Sequence, residues 1–283
     1  MSHQLSHSQA VNIGKRISYP LLDNDAACTS MATSDDAMLN MAMKFYHQEL
    51  LKSDDAIEYL KNRAVHTGSV VEHFNLGYSN RKLGLKLQEL PKKDEEISRG
   101  ALLRLGILKS TGHELFYGAI TFPLTDQQGR IVGCYGRRIT KESKPRKIYH
   151  RHWYSDDIGF FNCVSLKDNE KLIYCKNPID ALSWWANGFT NVISTLGHND
   201  FTAQHSALLK QTGIHTVFLA MGTTQSTLVA ARRVSQMLRH QEIDTMLVLY
   251  PNGLDANSFI LQSDYPQEDL KQLLDASHQY VVN

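Results

Sequence analysis

Charge of one sign is the first thing this sequence has little of. Its 30 Lys and Arg are balanced by 29 Asp and Glu, a formal net charge of +1 over 283 residues. Total charge therefore marks no nucleic-acid binder, and any electrostatic argument has to rest on local clustering. Cysteine is scarce as well. Cys28, Cys134, Cys163 and Cys175 form no Cys-x-x-Cys pair, so no structural zinc site is visible and buried free thiols are expected. No apolar run reaches the roughly 18 residues a membrane-spanning helix needs. The amino terminus has no apolar segment after a basic start, so no secretory signal is expected and the cytoplasm is the expected location. What is present is ample apolar material. At 42% hydrophobic residues, the chain can build the core of one large or two ordinary domains.

The most ordered pattern lies in residues 171–250. Short apolar runs at 172–175, 192–194, 216–220 and 246–250 alternate with helical segments. Pro178 opens the first of those helices, which carries Ala181, Leu182, Trp184, Trp185 and Ala186 and exits at Gly188. Apolar strands separated by helices predict a parallel sheet covered on both faces. Ligands of such sheets sit beyond the carboxyl ends of the strands, here at 176–180, 195–199, 222–224 and 252–255.

The earlier part of the chain is less regular. Residues 1–36 are polar and are expected as a tail, either disordered or a partner-binding arm. Helical spacing over Met38, Leu39, Met41, Ala42, Phe45 and Tyr46 predicts a helix to about Lys52, with a cap within Ser34-Asp35-Asp36. Ser53 is expected to cap a second helix through Ala56, Ile57, Tyr59 and Leu60 to Arg63, and Val70, Val71 and Phe74 suit a short third. Residues 82–98 read as a polar connector, and 101–108 as a short helix closed at Gly106. The strands at 119–124 and 131–137, with Gly129 between them, predict a hairpin. Residues 153–162 read as a link, and Pro266 starts a terminal helix. The expected organisation is a tail over 1–36, an α+β basic subdomain over 37–168, and an α/β domain over 169–283.

Together these marks carry a family resemblance. The order of strands and turns after residue 170 resembles the TOPRIM domain of bacterial DnaG-type primases. Phe45-Tyr46-His47, Tyr59-Leu60-Lys61-Asn62-Arg63, Leu76-Gly77-Tyr78, Phe122-Pro123-Leu124 and Gly133-Cys134-Tyr135-Gly136-Arg137 resemble successive segments of the DnaG core that precedes it. The resemblance covers roughly residues 40–262. It implies an α/β fold with a TOPRIM-like parallel sheet flanked by helices, preceded by an α+β subdomain. The zinc-ribbon and helicase-binding domains of such primases have no counterpart in the sequence. The family places a Glu after the first strand, an Asp four residues on, Thr-Leu-Gly after the second strand, Asp-x-Asp after the third and further acids after the fourth. This sequence keeps Asp180, Thr195-Leu196-Gly197 and Asp255. It puts Lys176 at the Glu position, Gly222 and Thr224 at the Asp-x-Asp positions, and Asn257 where a second acid follows Asp255.

Mg²⁺ or Mn²⁺ needs several oxygen ligands, carboxylates above all, and two carboxylates remain. No catalytic residue and no metal site are therefore expected among these degenerate positions, and no cofactor. Lys176 and Asp180 are four apart, so the amine either substitutes for the absent cation or forms a surface pair contributing roughly 0–1 kcal/mol. The other cluster is basic. Arg130, Arg137, Arg138, Lys144, Arg146, Lys147 and Arg151, with Tyr149 and Trp153 as stacking candidates, are the expected contacts to single-stranded DNA or RNA; an ordinary solvated loop is the alternative. The reading that follows is a catalytically degenerate primase-like protein. It would bind single-stranded nucleic acid or a replication partner as an accessory factor, for instance of a mobile element, and no membrane. Two alternatives stand beside it. One is an active Mg²⁺- or Mn²⁺-dependent primase or TOPRIM phosphotransferase that recruits Asp156, Asp157 or Asp200. The other is a protein-interaction module.

Overall fold

The computed structural model describes residues 35–66, 68–139, 149–197 and 199–280. Cys28, Ser34, Lys144, Arg146, Lys147 and His198 lie outside the described residues, as does the expected tail except for Asp35 and Asp36, which open the first helix.

Helix α1 (Asp35–Leu51) buries Met38, Leu39, Ala42, Met43, Tyr46 and Leu50 along one stripe, the spacing of a helix with a single packed face. Helix α2 (Asp54–Asn62) is capped as expected, the Ser53 side chain accepting from the Ala56 N–H, and α3 (Gly68–His73) follows. Strand β1 (Gly77–Tyr78) runs hard against α1. A Cβ on Gly77 would stand 2.7 Å from the Tyr46 Cβ and 2.6 Å from Thr121 Oγ1, so only glycine fits. The connector expected over 82–98 is instead two helices, α4 (Leu83–Gln88) and α5 (Lys92–Arg104). Leu83 and Leu87 form a buried i,i+4 pair on α4. Pro91 precedes α5, whose first turn carries Asp94 and Glu95, where the helix dipole favours acids. The residues expected as a separate short helix are the end of α5 and its exit at Gly106, φ +73°.

Strands β2 (Ala119–Thr125) and β3 (Ile131–Arg138) form the expected antiparallel hairpin, with Phe122 opposite Tyr135. A further strand, β4 (His150–Tyr154), lies within the basic stretch and what was expected to be a link. It closes a four-stranded sheet of order β1-β2-β3-β4, in which β4 is an edge. Residues 160 and 161 then stitch this sheet to the next. Phe160 exchanges backbone hydrogen bonds with Thr125, and Phe161 N–H donates to the Ser194 carbonyl.

The second sheet has β5 (Lys171–Cys175), β6 (Val192–Ser194), β7 (Thr216–Ala220) and β8 (Asp244–Leu247), all parallel, in the order β6-β5-β7-β8. The last of these starts and stops earlier than the expected 246–250, because Asp244 and Thr245 already pair with β7 while 248–250 run past the paired ladder. A short antiparallel strand, β9 (His278–Gln279), adds an edge that the sequence pattern does not announce. Helices α6 (Pro178–Ala186), α7 (Ala203–Gln211), α8 (Gln225–Arg239), α9 (Ala256–Ile260) and α10 (Pro266–Asp275) complete the mixed α/β fold. One apolar cluster runs through both sheets, from Leu60 and Tyr78 through Phe122 and Phe161 to Ile173, Ala220 and Tyr250, with Phe74 stacked on Phe161 at 4.5 Å. Cys134, Cys163 and Cys175 are buried free thiols, as expected. Among the described residues no helix is long and apolar enough to cross a membrane.

Candidate nucleic-acid interface and the strand-end cleft

A cleft of about 260 Å³ opens at the carboxyl ends of β5 and β7. Lys176 leaves the end of β5. Asp180 sits in the first turn of α6, whose N-cap Asn177 accepts from the Asp180 N–H and donates through Nδ2 to its Oδ2. Asp255 caps α9, accepting from the Ser258 N–H. The sequence places Lys176 beside Asp180; the fold also brings in Asp255, 79 positions away. Lys176 Nζ stands 2.8 Å from Asp255 Oδ2 and 3.5 Å from Asp180 Oδ2. This is no surface pair: the side chains of Lys176 and Asp180 are 18% and 2% exposed.

The energetics of this trio follow from burial. Burial pushes the Asp180 carboxyl up, and although Lys176 pulls it back, the neighbouring Asp255 adds repulsion and the group comes to rest at about 6. Burial likewise opposes the charge on Lys176, but the two carboxylates outweigh it and hold the ammonium above its ordinary range. For Asp255, burial is outweighed by Lys176 and the Ser258 N–H, and its carboxyl lies below the usual value. Gly222, at the end of β7, has φ +94°, a conformation that favours glycine. A Cβ there would meet Lys176 Nζ at 3.5 Å. The lysine therefore fills the space into which a carboxylate at 222 would project. Thr224 caps α8, accepting from the Thr227 N–H. Through its Nδ2, Asn257 does what a carboxylate could not. Its N–H donates to Asp180 Oδ1, its Nδ2 to Ser183 Oγ and the Arg63 carbonyl, and its Oδ1 accepts from Arg63 Nη1.

The TOPRIM frame implies Mg²⁺ or Mn²⁺, and these residues do not fit either ion. An ammonium stands between the two remaining carboxylates, and the third and fourth positions are Gly222 and Thr224. Among the described residues no group of three or more His, Cys, Asp or Glu is placed to hold a metal. Of the acids that could be recruited, Asp157 faces Arg130 at 3.7 Å and Asp200 accepts from the Tyr154 hydroxyl at 2.9 Å; neither joins Asp180 and Asp255.

The basic stretch is divided by strand alternation. Successive side chains of a strand point to opposite faces, so Arg137 faces the cleft while Arg138 and Arg151 take the other face. Arg137 Nη1 donates to His150 Nε2 at 3.0 Å, and its guanidinium lies 5.8 Å from the Tyr149 ring centroid. Arg138 lies 5.2 Å from the centroid of Tyr117, which Arg81 covers from 3.6 Å. Arg81 thus supplies charge beside the Phe116-Tyr117 segment, a contribution the sequence pattern does not reveal.

One expected contact, Trp153, is corrected by its burial, and Arg130 is found in a surface ion pair. Trp153 is 8% exposed and its Nε1–H donates to the Leu105 carbonyl; it packs with Cys134 and Phe116 and offers no stacking face. Arg130 precedes β3, at the opposite end of that strand from Arg137, and its charge is taken up by Asp126 at 2.7 Å and by Asp157. Arg63, Tyr135 and His150, which line the cleft, were not assigned a role from sequence. The only available signal was the position of Arg63 in the Tyr-Leu-x-x-Arg segment and of Tyr135 in the hairpin motif.

Comparison with known proteins fits this geometry. Residues 45–150 match the model of the DNA primase catalytic core, N-terminal domain, and residues 173–260 match a Toprim-like domain. The DNA primase of Aquifex aeolicus is 26% identical over 247 residues, 84% of this chain and 48% of that protein. The crystal structure of the zinc-binding and RNA polymerase domains of the Aquifex aeolicus primase superposes with a TM-score of 0.74 at 23% identity, covering 87% of this chain and 61% of that one. A structure of the DnaG primase catalytic domain bound to ssDNA does so with 0.70 at 18% identity, covering 87% and 79%. The chain spans about half or less of the length of the curated relatives it matches. The chain is homologous to bacterial DNA primases, matching the N-terminal domain of the DnaG catalytic core followed by a Toprim-like domain.

Proposed function

We propose that this protein is a catalytically silent primase core that holds single-stranded nucleic acid, acting as an accessory factor in replication, for instance of a mobile element. One observation carries the silent half of the reading: Lys176 Nζ bridges Asp180 and Asp255 at 3.5 and 2.8 Å. One ammonium thereby offsets part of the negative charge that would otherwise draw a divalent ion. Nucleotidyl transfer needs metal to offset charge on the transferring phosphoryl group, and a fixed ammonium offers no coordination sites for attacking and leaving oxygens.

The binding half is supported by the arginines grouped around the first sheet. Arg63 and Arg137 line the cleft, and Arg138, Arg81 and Arg151 lie on the other face of the same sheet. Lys144, Arg146 and Lys147 belong to the same stretch in sequence. Phosphate contacts of this kind give affinity without sequence preference. The bound strand in the structurally similar DnaG domain supports the same assignment.

Two assays test the reading together. Primer synthesis with labelled nucleotides and Mg²⁺ or Mn²⁺ is expected to yield no product; metal-dependent product abolished by Asp180→Ala would replace the reading with an active primase. Gel-shift on single-stranded DNA is expected to show salt-sensitive binding that weakens in the Arg137→Ala, Arg138→Ala double variant.

A further inference from the structure

We propose that the open face of edge strand β4 is a base-stacking rail, on which His150, His152 and Tyr154 receive successive unpaired bases of a single strand leaving the cleft. The inference rests on the nucleic-acid reading above and adds to it how the strand is held and by which part of its chemistry.

The rail follows from register. His150, His152 and Tyr154 lie opposite Arg137, Tyr135 and Gly133 and so share one face. All three are exposed, Tyr154 at 51%, while the intervening Trp153 is buried on the other face. The row continues an aromatic series out of the core: Phe161 to Phe122 at 6.4 Å, Phe122 to Tyr135 at 5.5 Å, then Tyr135 to His150 at 5.8 Å and to His152 at 5.6 Å, and His152 to Tyr154 at 6.0 Å. His152 and Tyr154 meet edge to face at 73°, and His152 lies at 35° to Tyr135, so each exposed ring offers its own open surface to a base. Sheet faces that carry rings in this way stack unpaired bases.

Hydrogen bonds hold the two end rings, and His152 packs between Tyr135 and Tyr154. Arg137 can only donate, so His150 Nε2 accepts from it, and the imidazole proton is on Nδ1, which donates to the Tyr135 oxygen at 2.8 Å. Both nitrogens of His150 are thus spent, which sets its plane and removes it as a metal ligand. The Tyr154 hydroxyl donates to Asp200 Oδ2 at 2.9 Å, anchoring the far end. Burial, the Arg137 charge and His152 hold His150 below the usual imidazole range. Burial holds His152 there too, against the pull of Asp200. Both are neutral rings at pH 7. Charge complementarity fixes the direction: Arg63 and Arg137 line the cleft at the His150 end, where Lys176 is already paired with Asp180 and Asp255, and the acid Asp200 closes the other end. Phosphates enter on the cationic side, and bases lie along the rail.

The test uses the whole chain and three oligonucleotides of equal length: a mixed-sequence DNA, its RNA counterpart, and an abasic DNA that keeps every phosphate. Fluorescence anisotropy at low salt is expected to show the wild type binding both base-bearing strands at least tenfold more tightly than the abasic one. His152→Ala with Tyr154→Ala should lower affinity for the base-bearing strands at least fivefold and leave the abasic affinity unchanged, which also shows that the variant is folded. Tyr154→Phe keeps the ring and should bind within about twofold of wild type. Equal wild-type affinity for base-bearing and abasic strands, or a preference that survives the double variant, removes the rail but leaves the phosphate-binding reading standing. No binding to any of the three removes both. A preference confined to the DNA or the RNA strand retains the rail and names its ligand.

Discussion

The two open faces of this molecule treat charge in opposite ways. At the ends of β5 and β7, one cation and two acids turn inward and satisfy one another: Lys176 holds Asp255 and Asp180. At the end of β3 and along β4, Arg137, His150, His152 and Tyr154 share a solvent-facing surface. The first site lies at the ends of the Toprim-like sheet, and its charged groups are paired with one another. The second lies beside it and carries a cation and three exposed rings. The difference is one of charge pairing within a single fold. A parallel sheet with Asp180, Thr195 and Asp255 at its strand ends persists because apolar burial and helix caps maintain it, and neither depends on metal. Thr195 Oγ1, for instance, donates to the Gly197 carbonyl, and Asp255 caps α9.

The largest expected effect reverses the inward site. Lys176→Glu places three carboxylates together with no cation, and breaking such a buried pair costs about 3–5 kcal/mol. Thermal melts should show a large loss of stability that millimolar Mn²⁺ restores, while the wild type is insensitive to Mn²⁺. A wild-type midpoint that rises with Mn²⁺ would erase the contrast between the two faces.

The next effect is in pH. The Asp180 carboxyl is raised from 3.8 to about 6, so the folded state binds its proton more tightly than the unfolded chain. Stability from this group is present below 3.8 and falls as pH rises from 3.8 to 6, by up to about 3 kcal/mol. Asp255 works in the opposite sense, its contribution being lost as pH falls through its lowered value. Urea unfolding should show Asp180→Asn gaining on the wild type between pH 4 and 7 and then running parallel. A flat difference would mean that Asp180 carries no burial penalty.

Smaller effects belong to the basic cluster of β3 and β4, on both faces of the strands. The double variant Arg137→Ala, Arg138→Ala should bind single-stranded DNA about tenfold more weakly and lower the salt slope by about 1.4, two phosphate contacts at roughly 0.7 each. An unchanged slope in an anisotropy titration would place the strand elsewhere. Smallest is Trp153→Phe, which loses the bond to the Leu105 carbonyl. It should cost about 1 kcal/mol in urea and leave oligonucleotide affinity untouched, separating the buried face of β4 from its open one.

Much of this was readable before the fold was known. The Ser53 cap, the Pro178 start, the Gly188 exit and the apolar runs of the second sheet act over a few residues, and the structure realises each. Residues 82–98 were less readable because Leu83 and Leu87, on α4, stand alone in a polar background, and a helix so lightly marked is decided by the core it meets. Strand β4 was missed because His-Arg-His-Trp-Tyr alternates in exposure but hardly in hydropathy. Its rings and cations conceal the period of two.

The sequence by itself determined the α/β architecture and, through the family resemblance, which carboxylates the strand ends lack, because strand and helix periodicity and the identity of a side chain are local facts. It could place Lys176 beside Asp180, four residues on. Only the tertiary structure decided that Asp255 and Asn257 close around them, that Trp153 turns into the core, and that Arg130, just before β3, pairs with Asp126. The physical reason is that burial and ion pairing depend on distance in space, and on which face of a strand each side chain takes. A one-residue change of register would exchange every residue on the two faces of β4.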